Sequence, residues 1–210
     1  MISKICRMAS LLSYLVVVFL ASSSVAYGAP QAVPVSLSQA EVSVPNMSVV
    51  ESNLYRGGQP SFQDLRSLRD GGVKIDLSLD NEKRLISAEA EQAAALGLKF
   101  INIPLSPMHR PSDSEILRFL SVVENKDNEP VFVHCVHGRD RTGTMVALYR
   151  MHDEEWSADQ AYAEMLKNGF RPFFTSLSAS VFDYGAATGR PAHRPSIGFI
   201  ATHFSGHIAR

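Results

Sequence analysis

The chain has 210 residues, enough for one domain with extensions, and its 45% hydrophobic content is ample for a packed core. Its 20 basic and 21 acidic residues leave a net charge of −1, so no polyanion-binding footprint covers the whole protein and nucleic acid is not an expected partner. Any basic patch must be local.

At the N-terminus Lys4 and Arg7 precede an apolar stretch from Leu11 to Ala21, and small residues follow through Ala26-Tyr27-Gly28. This is the pattern of a cleaved export signal over residues 1–28. The apolar run is short of the roughly 20 residues a spanning helix needs, so no stable membrane span is expected after cleavage. The expected location is periplasmic or secreted. Cleavage also removes Cys6 and leaves Cys135 as the single cysteine. A lone thiol in an oxidising compartment has no intramolecular partner, which points to chemistry rather than stapling.

Residues 29–50 are rich in Pro, Ser and Val and read as a linker or loosely attached arm. Residues 51–184 alternate strand and helix patterns. Ser61-Phe62-Gln63-Asp64 opens a helix that stops at Gly71-Gly72. A strand is predicted over 73–79, a helix over 84–96 ended by Gly97, and a strand over 98–103. A helix over 113–124 should turn Ile116, Leu117, Leu120 and Val123 inward. Val131-Phe132-Val133 is a continuous apolar run, as in a strand buried on both faces. Residues 142–152 turn helical, Ser157–Gln160 caps a further helix over 158–167, and residues 173–184 form a last short one. Such alternation implies an α/β fold, with a mostly parallel central sheet flanked by helices. Residues 185–210 are Gly-, Ala-, Pro- and His-rich and read as a disordered tail. The irregular spacing of His193, His203 and His207 does not suggest a metal site.

The informative segment is His134-Cys135-Val136-His137-Gly138-Arg139-Asp140-Arg141-Thr142-Gly143, between the central strand and its helix. Successive backbone N–H groups over residues 136–141 can form an anion-binding nest. The helix N-terminus adds free N–H groups and the positive end of its dipole. Gly138 tolerates a backbone angle that other residues resist. Helix N-termini and nearby cations favour the thiolate form of a cysteine such as Cys135. Arg141 offers a planar fork able to hold two phosphate oxygens at once. A thiolate in line with phosphorus, ringed by donors, supplies the positioning and charge stabilisation that phosphoryl transfer requires. No metal ion or organic cofactor is expected.

This segment resembles the H-C-x-x-G-x-x-R-T-G signature of cysteine-based protein tyrosine and dual-specificity phosphatases. The segment Asn53-Leu54-Tyr55-Arg56-Gly57-Gly58-Gln59-Pro60 is similar to the domain opening of the compact bacterial and plant-and-fungal atypical dual-specificity group. The resemblance implies that Cys135 forms a phosphocysteine intermediate and that Arg141 binds the phosphoryl group. It further implies that Thr142 hydrogen-bonds the sulfur and that His134 orients the loop. It implies phosphotyrosine, or phosphoserine and phosphothreonine, in proteins as substrate. The Arg139-Asp140 pair is similar to the G-K-D-R-T-G loops of phosphatases that accept phosphoinositides, so inositol phosphates and phosphoinositides form the alternative substrate class. A non-catalytic phosphate-binding module is a further alternative. An arsenate-reductase- or rhodanese-like thiol enzyme fits the Arg-Thr-Gly closure and single mature cysteine less well.

The mechanism needs an acid for the leaving oxygen. The stretch Phe100 to Pro107 contains no carboxylate, and the first one downstream is Asp113, 22 positions before Cys135. Asp113 is the leading candidate, although its place in Ser112-Asp113-Ser114-Glu115 also suits a helix start. Asp140, inside the loop, is the alternative acid or else a partner for an arginine. Asp80, closing a strand, is a third candidate. His109 and Arg110 belong to a loop long enough to reach over a pocket.

Overall fold

The computed structural model describes residues 42–189. In chain order the elements are β1 (Ser48–Glu51), β2 (Leu54–Gly57), α1 (Phe62–Asp70), β3 (Ile75–Ser78), α2 (Lys83–Leu96), β4 (Lys99–Asn102), α3 (Asp113–Val123), β5 (Val131–His134), α4 (Asp140–Asp153), α5 (Ala158–Lys167) and α6 (Thr175–Ala187). The strands form one sheet in the order β1-β2-β5-β3-β4, with β5 at the centre. Only the β1–β2 pair is antiparallel; β2, β5, β3 and β4 run parallel. The expected α/β class with a mostly parallel sheet is what the chain adopts.

The helices start where their caps dictate. Ser61, Ser112 and Ser157 each accept from the backbone N–H three residues on, and Asp64, Glu115 and Gln160 reach back, closing three capping boxes. The two sheet faces bury different clusters. On one, α1 and α2 pack Leu65, Leu68 and Ala93 with Tyr55 and Phe132. On the other, Leu77, Leu79, Val131 and Val133 meet Phe119 of α3 and Met145 and Leu148 of α4. Helices α4, α5 and α6 share a further cluster around Ala147, Tyr162, Met165 and Val181. Helix α4 therefore has buried residues around its whole circumference from Asp140 to Tyr149, which suits a helix enclosed by sheet and helices.

Five expectations change. Val42 and Val44 are buried and Ser48–Glu51 is a strand, so the end of the stretch read as a loose arm is part of the fold. Residues 54–57 form β2, a strand that the Asn53–Pro60 motif had concealed. Leu117, expected inside, is 66% exposed, while Phe119 is fully buried. Apolar residues at both positions left the facing side of α3 ambiguous, and contact with α4 and the sheet decided it. Helix α4 also begins two residues early, at Asp140, and α6 runs to Ala187. The expected export signal over residues 1–28, residues 29–41 and residues 190–210 with their three histidines lie outside the described residues. Among the described residues, no helix is long and apolar enough to cross a membrane.

Candidate active site

Cys135 follows β5 directly, at the carboxyl end of the central strand, where open parallel sheets form their ligand crevices. Its side chain is buried, and the loop 135–139 then turns into α4. Gly138 has φ +69°, the left-handed region that its lack of a β-carbon permits.

The loop is held from both neighbouring strands. On the β2 side, the Gln59 N–H donates to Val136 O at 3.1 Å and the Asn46 side chain donates to His137 O at 2.8 Å. Gly58 N–H binds Pro45 O at 2.7 Å, drawing residues 45–46 onto the same turn. Gly138 lies so close to Gly57 and Gly58 that a β-carbon there would sit 2.5 Å from Gly57 O and Gly58 N. Arg56, 2% exposed, donates to Gly138 O at 2.9 Å. The motif at residues 53–60 is thus the cradle of the loop, with glycines where two backbones touch.

On the β3 side stands Asp80. Its Oδ1 accepts from Arg141 Nη2 at 2.8 Å and from the Val136 N–H at 3.3 Å. Arg141 Nη1 is anchored on Leu79 O, Asn81 Oδ1 and Leu105 O at 3.2, 3.3 and 3.4 Å. Asp80 therefore fixes both Arg141 and the first amide of the loop. Its part in Arg141 positioning was not anticipated from sequence; its position at a strand end was the available signal.

Asp140, the alternative acid, is paired with an arginine. Its carboxylate accepts from Arg171 N, Nε and Nη2 at 2.9, 3.1 and 2.7 Å, tying the start of α4 to the α5–α6 connection. Asp113 occupies the first turn of α3 and is exposed, beyond a loop whose Leu105 carbonyl rests on Arg141. His109 contacts Ser106 in that loop, and Arg110 pairs with Asp183 of α6. His137 is exposed, and Arg139 packs near Gly169. Thr142 Oγ1 is buried with no hydrogen-bond partner among the described residues, so the bond to sulfur implied by the resemblance is not formed in this structure.

Under the loop lies an ionic cluster. His134 Nε2 is 3.2 Å from Asp76 Oδ1 on β3 and 3.1 Å from Glu89 Oε1 on α2, and all three side chains are at most 2% exposed. Burial alone would disfavour the imidazolium, but the two carboxylates outweigh it and raise the His134 pKa to about 10. Asp76 is also pushed up, by burial first, against the opposing pull of His134. The cluster carries two carboxylates against one imidazolium, and Phe132 stacks on the ring at 5.4 Å. Among the described residues this is the one group of three whose donor atoms could hold a metal ion. Its position, sealed below the loop, joins β5, β3 and α2 and orients the residue before Cys135.

The family model described as DSP-PTPase phosphatase fused to NAD+ kinase matches residues 29–177. The chain belongs to this phosphatase family. Among curated proteins, this phosphatase is 29% identical over 165 residues to the dual specificity protein phosphatase TpbA of Pseudomonas aeruginosa strain UCBPP-PA14, covering 76% of this chain and 72% of that one. It is 31% identical over 113 residues to inositol diphosphatase DSP5 of Arabidopsis thaliana, covering 50% and 53%. The chain spans 62% of the TpbA of a second P. aeruginosa strain. Among solved structures, the catalytic domain of the PP-IP phosphatase SIW14 from S. cerevisiae matches with TM-score 0.61 at 22% identity, over 71% of this chain and 92% of that one. P. aeruginosa TpbA matches with TM-score 0.56 at 23% identity, over 76% and 91%. The fold is thus that of the cysteine-based phosphatases, and this phosphatase carries its cysteine at the expected loop.

Proposed function

We propose that this phosphatase hydrolyses phosphomonoesters of proteins, phosphotyrosine foremost, through a phosphocysteine on Cys135. The observation that carries the reading is the cysteine loop clamped between β2 and β3, with the two terminal nitrogens of Arg141 held by four oxygen atoms beside it. The Cys135 sulfur attacks phosphorus and the P–O bond to the leaving group breaks. Water then cleaves the P–S bond, releasing phosphate and restoring the thiolate. Loop amides and Arg141 stabilise the charge on the equatorial oxygens. The similarity to TpbA, a dual specificity protein phosphatase, supports the protein substrate. Similarity to DSP5, an inositol diphosphatase, supports inositol phosphates as the second reading.

Asp113 is the proposed general acid. Asp140 is engaged by Arg171 and Asp80 by Arg141, whereas Asp113 is exposed on a helix reached from the loop that touches Arg141. Residues 1–28 are proposed as an export signal, placing the enzyme in a periplasm or outside the cell.

The test is phosphate release from phosphotyrosine peptides, phosphoserine peptides, phosphoinositides and soluble inositol phosphates, with a chelator present. Turnover that disappears in Cys135→Ser supports the mechanism, and the preferred member chooses the substrate class. Turnover near wild type in Cys135→Ser refutes it. Asp113→Asn should depress kcat most for leaving groups that need protonation; an equal or larger loss in Asp140→Asn transfers the role.

A further inference from the structure

The cysteine loop ends on a charge of the wrong sign for its proposed ligand. Asp140 is buried and is the first residue of α4. A helix N-terminus attracts any anion, so a carboxylate in its first turn competes with a phosphate for the same dipole and N–H groups. Asp140 also stands in the chain between Arg139 and Arg141, two cations that it could neutralise. It pairs with neither. Arg141 is held by Asp80, and among the described residues Arg139 has no ion-pair partner, with its Nε buried and unbonded.

Arg171, in the connection between α5 and α6, takes the carboxylate instead. Its backbone N–H donates to Asp140 Oδ1 at 2.9 Å, and its Nε and Nη2 donate to Oδ2 at 3.1 and 2.7 Å. The guanidinium is itself held by aromatic rings, its central carbon lying 4.9 Å from the Phe174 centroid and 5.3 Å from that of Phe173. The same connection meets the loop a second time at Gly169, where an added β-carbon would lie 2.9 Å from Arg139 Cδ. Both carboxylate oxygens of Asp140 are therefore bound on the side of the α5–α6 connection, by a residue that has no part in the mechanism above.

We propose that Arg171 is a positioning residue for substrate binding, which withdraws the Asp140 carboxylate from the charge balance of the phosphate loop. The N-terminus of α4 and the unpaired Arg139 then stay available to a phosphate dianion. Arg171 acts through Asp140 and does not touch the substrate. Losing Arg171 therefore harms anion binding only while residue 140 is charged. A merely structural tie between α4 and the α5–α6 connection behaves differently, because removing both partners leaves it as broken as removing one.

The inference rests on the cysteine loop being the phosphate site, and its main readout is binding, which is independent of the identity of the general acid. Inorganic phosphate and a phosphotyrosine peptide are titrated calorimetrically into the full chain carrying Cys135→Ser, alone and combined with Arg171→Met, Arg171→Lys, Asp140→Asn and the Asp140→Asn/Arg171→Met pair. Arg171→Met should weaken binding about tenfold, the effect of one like charge left beside the anion. Arg171→Lys keeps the charge without the fork and should stay within about threefold of the parent. The double variant should return to within about twofold of Asp140→Asn, which binds at least as tightly as the parent. With Cys135 restored, the loss in Arg171→Met against an aryl phosphate should fall on KM, with kcat within about twofold of wild type. Undiminished binding in Arg171→Met overturns the proposal, as does a double variant no better than Arg171→Met, or a loss carried by kcat at unchanged KM. If Arg171→Met does not fold, Arg171→Gln takes its place under the same criteria. Failure of the phosphocysteine reading shows separately, as turnover that persists in Cys135→Ser.

Discussion

Replacing Gly138 by alanine measures how closely the phosphate loop is fitted to the strand beside it. Two costs add. Alanine at φ +69° pays the left-handed penalty of about 1–2 kcal/mol. Its β-carbon would also lie 2.5 Å from Gly57 O and Gly58 N, both backbone atoms that cannot rotate away. Overpacking of this kind costs about 1–3 kcal/mol, so the total is about 2–5 kcal/mol. Relief requires the loop to move by roughly an ångström, and displacement on that scale at a reacting centre lowers the rate about 100-fold. Gly97→Ala is the matched control. Gly97 has φ +73°, and an added β-carbon would meet nothing within 4 Å, so it carries the backbone penalty alone. Urea unfolding and initial rates with an aryl phosphate read both quantities. Gly97→Ala should lose about 1–2 kcal/mol with unchanged kcat/KM, and Gly138→Ala should lose more stability and most of its activity. Equal destabilisation by the two, or kcat/KM within about twofold of wild type in Gly138→Ala, would refute the close-fit reasoning.

The cluster under the loop gives a prediction whose sign is unusual. Glu89→Gln leaves one imidazolium facing one carboxylate and should change stability by no more than about 1 kcal/mol, whereas His134→Asn leaves two buried carboxylates without a cation and should cost about 3–5 kcal/mol by urea unfolding. Because the folded-state pKa of His134 is raised to about 10, its contribution is complete below its ordinary value of 6.5 and is lost as pH rises towards 10. The raised Asp76 acts with the same sign but from its ordinary value of 3.8 upward; for His134, the urea midpoint of wild type should fall from pH 6.5 towards 10, and a flat midpoint there would mean that His134 is neutral when folded. Asp80→Asn should weaken both the hold on Arg141 and that on the Val136 amide, lowering kcat/KM about 10- to 100-fold in steady-state assays with little loss of secondary structure by circular dichroism.

The cysteine loop was legible in the sequence because all of its parts are contiguous. An apolar run, a cysteine, a glycine, an arginine and a helical pattern follow one another within about fifteen residues, and local chemistry is enough to read them. The capping boxes at Ser61, Ser112 and Ser157 were legible for the same reason: donor and acceptor lie three residues apart. Strand β2 was not legible as a strand, because Leu54–Gly57 is four residues long and all four are buried, so no alternation marks it. The support of the loop was also out of reach. Arg56, Asp76, Asp80 and Glu89 come from three strand or strand-end positions and a helix, and apart from the strand-end position of Asp80 none carries a local signal of contact with residues 134–141. Placing β5 between β2 and β3 brings Arg56 to one side of the loop and Asp80 to the other, and brings Asp76 within reach of His134. The sequence by itself determined the fold class and the cysteine loop with its closing arginine, the candidates for nucleophile and phosphate binder. Only the tertiary structure decided which charges surround them, because charge pairing in a buried site depends on distances between elements far apart in the chain.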